Sequence, residues 1–179
     1  MQLIGFSGSL RKDSYNRALL RAAAELLPQG HTLEVLEIGH LPLYNQDLEA
    51  DFPVSVKEIK EKIRNSDGII IATPEFNRSL SGVLKNMIDW TSRPYGDSAW
   101  KGLPVLVMGA SGGNIGTALA QSHLKSILLY LDCRVPGQPE IYIGTAQDKF
   151  DKAGALTDEK TKEFLVGALK TFATFATLT

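Results

Sequence analysis

A single cysteine, Cys133, leaves the chain without an internal disulfide, so its fold must be held by a buried core. Nor does any apolar run approach the roughly 18 residues that cross a bilayer, and no membrane insertion is expected. The three histidines, His31, His40 and His123, lie far apart with no Cys or carboxylate at ligand spacing, which leaves no zinc site. Neither sign of charge dominates: 19 basic residues meet 20 acidic ones for a net charge of -1. No overall field therefore recruits nucleic acid or an anionic membrane, and any anion must be bound locally. The opening "MQLIGFSGSLRK" lacks the basic region and long apolar stretch of a secretory signal, and the expected location is the cytoplasm. Low-complexity tracts, internal linkers and long repeats are absent too. What is present is 44% hydrophobic content in 179 residues, enough for one substantial core and one domain spanning residues 1–179.

Short apolar runs bounded by turn residues recur along the chain: "QLIGF", "TLEVLEI", "GIIIAT", "PVLVMGA" and a weaker "EIYIG". Each precedes a stretch with helical spacing: Arg17 to Leu27, Val54 to Asn65, Gly82 to Ser92, Ile115 to Leu131 and Asp158 to Thr177. That alternation predicts an α/β fold, a doubly wound five-stranded parallel sheet in a three-layer αβα arrangement. "GIIIAT" and "PVLVMGA" are apolar at every position, as central strands covered on both faces must be. In the last helix Phe164, Leu165, Ala168, Leu169, Phe172 and Phe175 mark one buried face. Cys133 falls near the entry to strand 5 and reads as a small core residue. Trp90 suits a core or a subunit interface equally.

Ligands of such sheets settle outside the carboxyl ends of the strands, where strand order reverses. The unusual loops lie there: "SGSLRKDSYN", "PEFNRSLSG" and "SGGNIG". In the first, a helix start presents unpartnered N–H groups and the positive end of its dipole, which favours an anion by about 0.3–1 kcal/mol. Ser7, Ser9, Ser14 and Tyr15 add hydroxyls, Asn16 an amide and Arg11 a guanidinium. An ordinary turn with a serine cap would use some of the same residues. A Walker loop would need Gly-Lys-Ser/Thr and a dinucleotide fingerprint a third glycine; neither occurs. What is left is the position at which a flavodoxin-like sheet holds the phosphate of FMN. In the second loop Pro74 stiffens the exit, and Asn77, Ser79, Ser81 and Gly82 let the backbone approach a flat ring.

The stretches "GSLRKDSYNR", "LPLYNQD" (Leu41 to Asp47), "TPEFNRSLSGVLKNMIDW" and "SGGNIG" resemble, in order and spacing, the flavodoxin-like NAD(P)H-dependent FMN reductases, which include bacterial quinone, chromate and azo-dye reductases. The resemblance covers essentially the whole chain. It implies FMN as cofactor, NAD(P)H as donor, a dimer or pair of dimers, and an active site at the subunit boundary. It further implies that Ser9, Arg11, Ser14, Tyr15 and Asn16 hold the phosphate and nearby ribityl oxygens. Pro74, Glu75, Phe76 and Asn77 would line the isoalloxazine, with Ser111 and Gly112 at its far edge. Asn45, Asp47, Phe76, Arg78 and residues near Tyr95 and Trp100 would shape the acceptor pocket. Family members often carry Tyr at position 76 and Pro at position 81; Phe76 and Ser81 depart from that pattern and point to an altered substrate preference. The implied reaction is ping-pong, with hydride entering and leaving through flavin N5 and quinones, chromate, azo compounds or free flavin accepting it. No catalytic side-chain cluster is required, because the cofactor carries the chemistry.

Two other readings compete. Gly109-Ala-Ser-Gly-Gly113 satisfies G-x-S-x-G between a strand and a helix, which would make Ser111 a hydrolase nucleophile. Yet the only downstream histidine is His123, with no Asp or Glu between the two. A flavodoxin-type electron carrier shares the sheet and the FMN site, but such carriers usually show a strongly acidic docking face, unlike a chain of net charge -1.

Overall fold

A computed structural model describes residues 1–178. The five apolar runs become β1 (Gln2–Ser7), β2 (Thr32–Leu36), β3 (Gly68–Ala72), β4 (Val105–Ala110) and β5 (Ile141–Ile143). All pair in parallel, in the order β2-β1-β3-β4-β5. Between them run α1 (Tyr15–Leu26), α2 (Val54–Arg64), α3 (Gly82–Thr91) and α4 (Ala118–Tyr130), and α5 (Glu159–Thr177) ends the fold. The chain winds outward from β1 to β2 and then returns across β1 to β3. The reversal opens a crevice at the carboxyl ends of β1 and β3, the place where flavodoxin-like sheets bind ligands.

Alternation along each strand divides the core in two. Leu3, Ile70, Leu106, Met108 and Ile141 point to one face and pack with Leu19, Leu20, Leu165, Leu169 and Phe172 of α1 and α5. Ile4, Phe6, Ile69, Ile71, Val105 and Val107 point to the other and meet Ile59, Ile63, Leu84, Met87, Leu124 and Leu128 of α2, α3 and α4. Full burial stabilises each such side chain by about 1.5–3 kcal/mol, and β3 and β4 are buried at every position. β2 is the exposed edge, which is why its run is the most polar.

Observed helices match the predicted spans within a residue or two except at α4, which begins at Ala118 and not at Ile115. Gly116 adopts φ +68 and its carbonyl accepts from Ser111 Oγ at 2.7 Å, so the segment before Thr117 loops over the end of β4 instead of coiling. Cys133 is buried as expected of a core residue but lies well before β5, which begins only at Ile141; its neighbour Arg134 makes an isolated bridge to Pro104 just ahead of β4. Trp90 is fully buried against the edges of Tyr44 and Phe52. No described helix is long and apolar enough to cross a membrane.

Candidate active site

β1 delivers Ser7, Gly8 and Ser9 to the crevice, and the loop that follows folds on its own hydroxyls. The Ser9 N–H donates to Ser7 Oγ at 3.2 Å, and the Arg11 N–H donates to Ser9 Oγ at 3.4 Å. Ser14 then caps α1, its Oγ accepting from the N–H groups of Asn16 and Arg17 at 3.2 and 3.4 Å. Among the described residues, the N–H groups of Lys12, Asp13 and Tyr15 enter none of the backbone hydrogen bonds. No carboxylate occupies the first turn of α1. Ser14, accepting twice, still has a proton to donate. The Arg11 guanidinium, free of any ion pair among the described residues, rests 5.5 Å from the centre of the Tyr15 ring. Free donors, a helix dipole and a placed cation are the chemistry a phosphomonoester requires, so the loop fits the phosphate of FMN.

Asn16 is engaged differently. Its amide is buried and gripped at both ends by Ala110, donating to that carbonyl at 3.0 Å and accepting from that N–H at 2.9 Å. It thereby ties the start of α1 to the end of β4 and holds the first and third loops together.

The second loop meets the first at Gly8, where a Cβ would come within 2.8 Å of Pro74 Cδ and 3.0 Å of Ser81 Oγ. The two loops touch because position 8 has no side chain. Beyond Pro74 the chain makes a two-residue hairpin: Phe76 and Ser79 exchange N–H···O bonds of 3.0 Å, with Asn77 and Arg78 at φ 49 and 66. Both lie in the left-handed region that this turn demands, which suits Asn and strains Arg. Phe76 stands half-exposed on the hairpin. Glu75 Oε2 accepts from the N–H groups of Leu119 and Ala120 at 3.0 and 3.2 Å, capping α4, while Oε1 lies 3.5 Å from Arg78 Nη1. Ser79 Oγ lies 3.1 Å from His123 Nδ1.

That last contact bears on the hydrolase reading. Ser111 Oγ donates to the carbonyls of Gly116 and Gly113, and His123 is bonded to Ser79, not to Ser111. The nucleophile–base pair is not assembled. Cys133 is no substitute, since burial pushes its thiol up to about 12 and keeps it protonated.

The stretch from Leu41 to Asp47 leaves β2 on the crevice side. Asn45 caps a short 3₁₀ turn, accepting from the Asp47 N–H at 3.1 Å, and Asp47 is exposed. What anchors this stretch is a residue the sequence reading passed over. Asn86, about nine-tenths buried on α3, donates to the Pro42 carbonyl at 2.9 Å and accepts from the Tyr44 N–H at 2.7 Å. Trp90, one turn on, donates to the same carbonyl at 2.8 Å. The available signal was an amide four residues before a Trp on an apolar helix. Tyr95 and Trp100, by contrast, do not reach the crevice. α3 runs back against the strands, so the segment between it and β4 lies at the amino end of the sheet. There Trp100 is fully buried with its indole N–H on Thr91 Oγ1 at 2.8 Å, and Tyr95 is exposed.

The sequence profile of the NADPH-dependent FMN reductases matches residues 1–148. The chain belongs to that family. FMN is its cofactor and NAD(P)H its electron donor, so the protein is a flavin-dependent oxidoreductase. Like it is the quinone reductase of Pseudomonas putida, 48% identical over 172 residues that cover 96% of this chain and 92% of that protein. A 2-hydroxy-1,4-benzoquinone reductase from Burkholderia sp is 47% identical over 158 residues, covering 88% of this chain and 86% of the relative. Among solved structures, FerB, a flavoenzyme NAD(P)H:(acceptor) oxidoreductase from Paracoccus denitrificans, superposes on this reductase with a TM-score of 0.92 at 43% identity, over 98% of this chain and 96% of its own.

Proposed function

We propose that this reductase, acting through one FMN-binding domain over residues 1–179, passes electrons from NAD(P)H to quinones in a ping-pong order. Chromate, azo compounds and free flavin are further acceptors of the same site. The observation that carries the reading is the crevice at the β1–β3 reversal: a capped helix start with free N–H groups, touching at Gly8 a rigid hairpin that offers an exposed aromatic wall. Ser9, Arg11, Ser14 and Tyr15 hold the phosphate, with Asn16 keeping their loop beside Ser111 and Gly112. Pro74, Glu75, Phe76 and Asn77 line the flavin, Glu75 acting through its grip on α4. Bound there, FMN would supply the two-electron redox chemistry that links NAD(P)H to the acceptor. Asn45, Asp47 and Arg78 border the opening that donor and acceptor use in turn. Phe76 supplies an apolar surface with no hydroxyl, which favours flat apolar acceptors. The quinone-named relatives support this choice of acceptor.

From the flavin hairpin a trough runs between α3 and α4, past Leu80, Ile127 and Leu131 to the exposed Tyr130. A second copy of the chain covers it, in a dimer or a pair of dimers, which brings the subunit boundary to the crevice. A cytoplasmic location is the reading that the use of NAD(P)H and a single free, buried thiol support.

The test is calorimetric titration of FMN into wild type and the Arg11→Ala/Ser14→Ala variant, alongside NADPH oxidation with benzoquinone. Loss of a charge-assisted bond and a helix cap should weaken FMN by roughly tenfold or more. Equal affinity in the two proteins would remove the phosphate from this loop.

A further inference from the structure

On the outer side of the first loop lies a basin that the proposed FMN contacts leave unused. The face of α1 that carries Ala18 and Arg21 looks across to the turn Asp151–Gly154 before α5. With Arg11, Lys12, Asp13, Ser14 and Tyr15 they enclose about 260 Å³. Arg11, Lys12, Arg21 and Lys152 face only two carboxylates here, Asp13 and Asp151, and Asp151 Oδ1 is already accepting from the Ala155 N–H at 2.9 Å. Among the described residues nine other cations are ion-paired, as in Lys62–Glu34 and Lys85–Asp89. None of these four makes an ion pair among the described residues.

Two of the cations are also held in place. Arg11 lies over Tyr15, whose ring packs on Phe150 at 5.9 Å. Helix side chains tilt towards the N-terminus, so Arg21 reaches back along α1 towards the loop. Its guanidinium lies against Gly154, where a Cβ would come within 2.5 Å of Nη2. A concave surface with fixed, unpaired guanidinium groups is built for phosphate oxygens. The basin shares Arg11, Ser14 and Tyr15 with the cradle and continues outward from it. A flavin phosphate in the cradle therefore has cationic surface next to it that a monoester does not use.

We propose that this basin binds the second phosphate and the adjoining sugar of a dinucleotide flavin, so that the reductase accepts FAD as well as FMN, with Arg21 and Lys152 as the residues that recognise the extension. The inference rests on the cradle reading given above. At about 260 Å³ the basin falls just below the ~300–1,000 Å³ typical of small-molecule pockets, so it takes the phosphate and ribose and leaves the adenine at the rim.

The experiment is a competition on the FMN-loaded full chain, equilibrated with equal concentrations of FMN and FAD, desalted, and its retained flavins separated after heat release. Wild type should retain both. Arg21→Ala/Lys152→Ala, which removes two exposed and unpaired side chains, should lower the FAD:FMN ratio about tenfold without lowering FMN retention. Lys170→Ala, remote from the basin, should leave the ratio as in wild type. Excess ADP should reduce the FAD share in wild type and not in the double variant. An equal effect of inorganic phosphate would make the site a simple anion site and overturn the dinucleotide assignment. So would the same FAD:FMN ratio in wild type and double variant, or retention of FMN alone by wild type. Retention of neither flavin would instead overturn the cradle itself, and this inference with it.

Discussion

Asn86 shows how one amide can hold two loops in register. It joins α3, which begins directly after the Phe76–Ser79 hairpin, to the backbone at Pro42 and Tyr44. Truncation leaves the part-buried Tyr44 N–H without this acceptor and the Pro42 carbonyl with Trp90 alone, at about 1–3 kcal/mol. Asn86→Ala should therefore lower stability by that amount in chemical denaturation and raise the quinone KM several-fold, while FMN affinity stays within about twofold. Asn86→Asp should keep the bond from Tyr44 and lose the one to Pro42, giving an intermediate KM. Arg78 makes the opposite case, a residue whose backbone is held against its preference. At φ 66 a side chain costs roughly 1 kcal/mol relative to glycine. Arg78→Gly should thus raise the denaturation midpoint slightly while weakening NADPH or acceptor use in steady-state kinetics. A fall in both would show that the Glu75–Arg78 pair outweighs the strain.

At the scale of elements, the segment between α3 and β4 is held from α2. Lys60, almost wholly buried, donates to Asp97 at 2.8 Å and to the Arg93 carbonyl, and Arg64 pairs with Asp97 as well. The Lys60 hydrogen bond, then the Arg64 one, holds the Asp97 carboxyl below its ordinary range. Asp158, capping α5, is likewise lowered, by its hydrogen bonds from the Thr161 hydroxyl and N–H. Carboxyls whose folded pKa is depressed stabilise the fold above their unfolded value near 3.9 and lose that contribution as pH falls through and below it. Stability should be flat with respect to Asp97 from neutral pH to about 5 and then decline. Asp97→Asn should be less stable than wild type at pH 7 and should lose less between pH 5 and pH 3, as read by urea midpoints. Parallel pH curves for the two proteins would show that the clamp contributes nothing. The Asp97 side chain is half-exposed, and solvent screening keeps the effect small.

Across the whole molecule, the strand order places every proposed contact at one end of the sheet and the α3–α4 trough alongside. Covering that trough with a second copy would bury Ile127, Leu131 and Tyr130, residues that no other element of the chain covers fully. Ile127→Asp should shift the protein towards monomer in sedimentation equilibrium and lower quinone turnover, with FMN affinity kept by the separate cradle. A variant that sediments as wild type would place the subunit contact elsewhere.

The elements and the serine cap of α1 were legible because their causes are local. An unbroken apolar run in "GIIIA" marks a strand buried on both faces, three- and four-residue steps mark α5, and Ser14 caps the helix from within its own loop. The sheet class and the carboxyl-end location of the site follow from that alternation and the handedness of βαβ units. What the tertiary structure alone decided are bonds between residues remote in the chain. Asn16 reaches Ala110 across 94 positions, Glu75 caps α4 across 44, and Asn86 finds Pro42 across another 44. No spacing rule announces such partners, since a polar side chain commits to one only when packing has removed water from the alternatives. The same removal of water settled Trp90 as core and buried Trp100 away from the crevice.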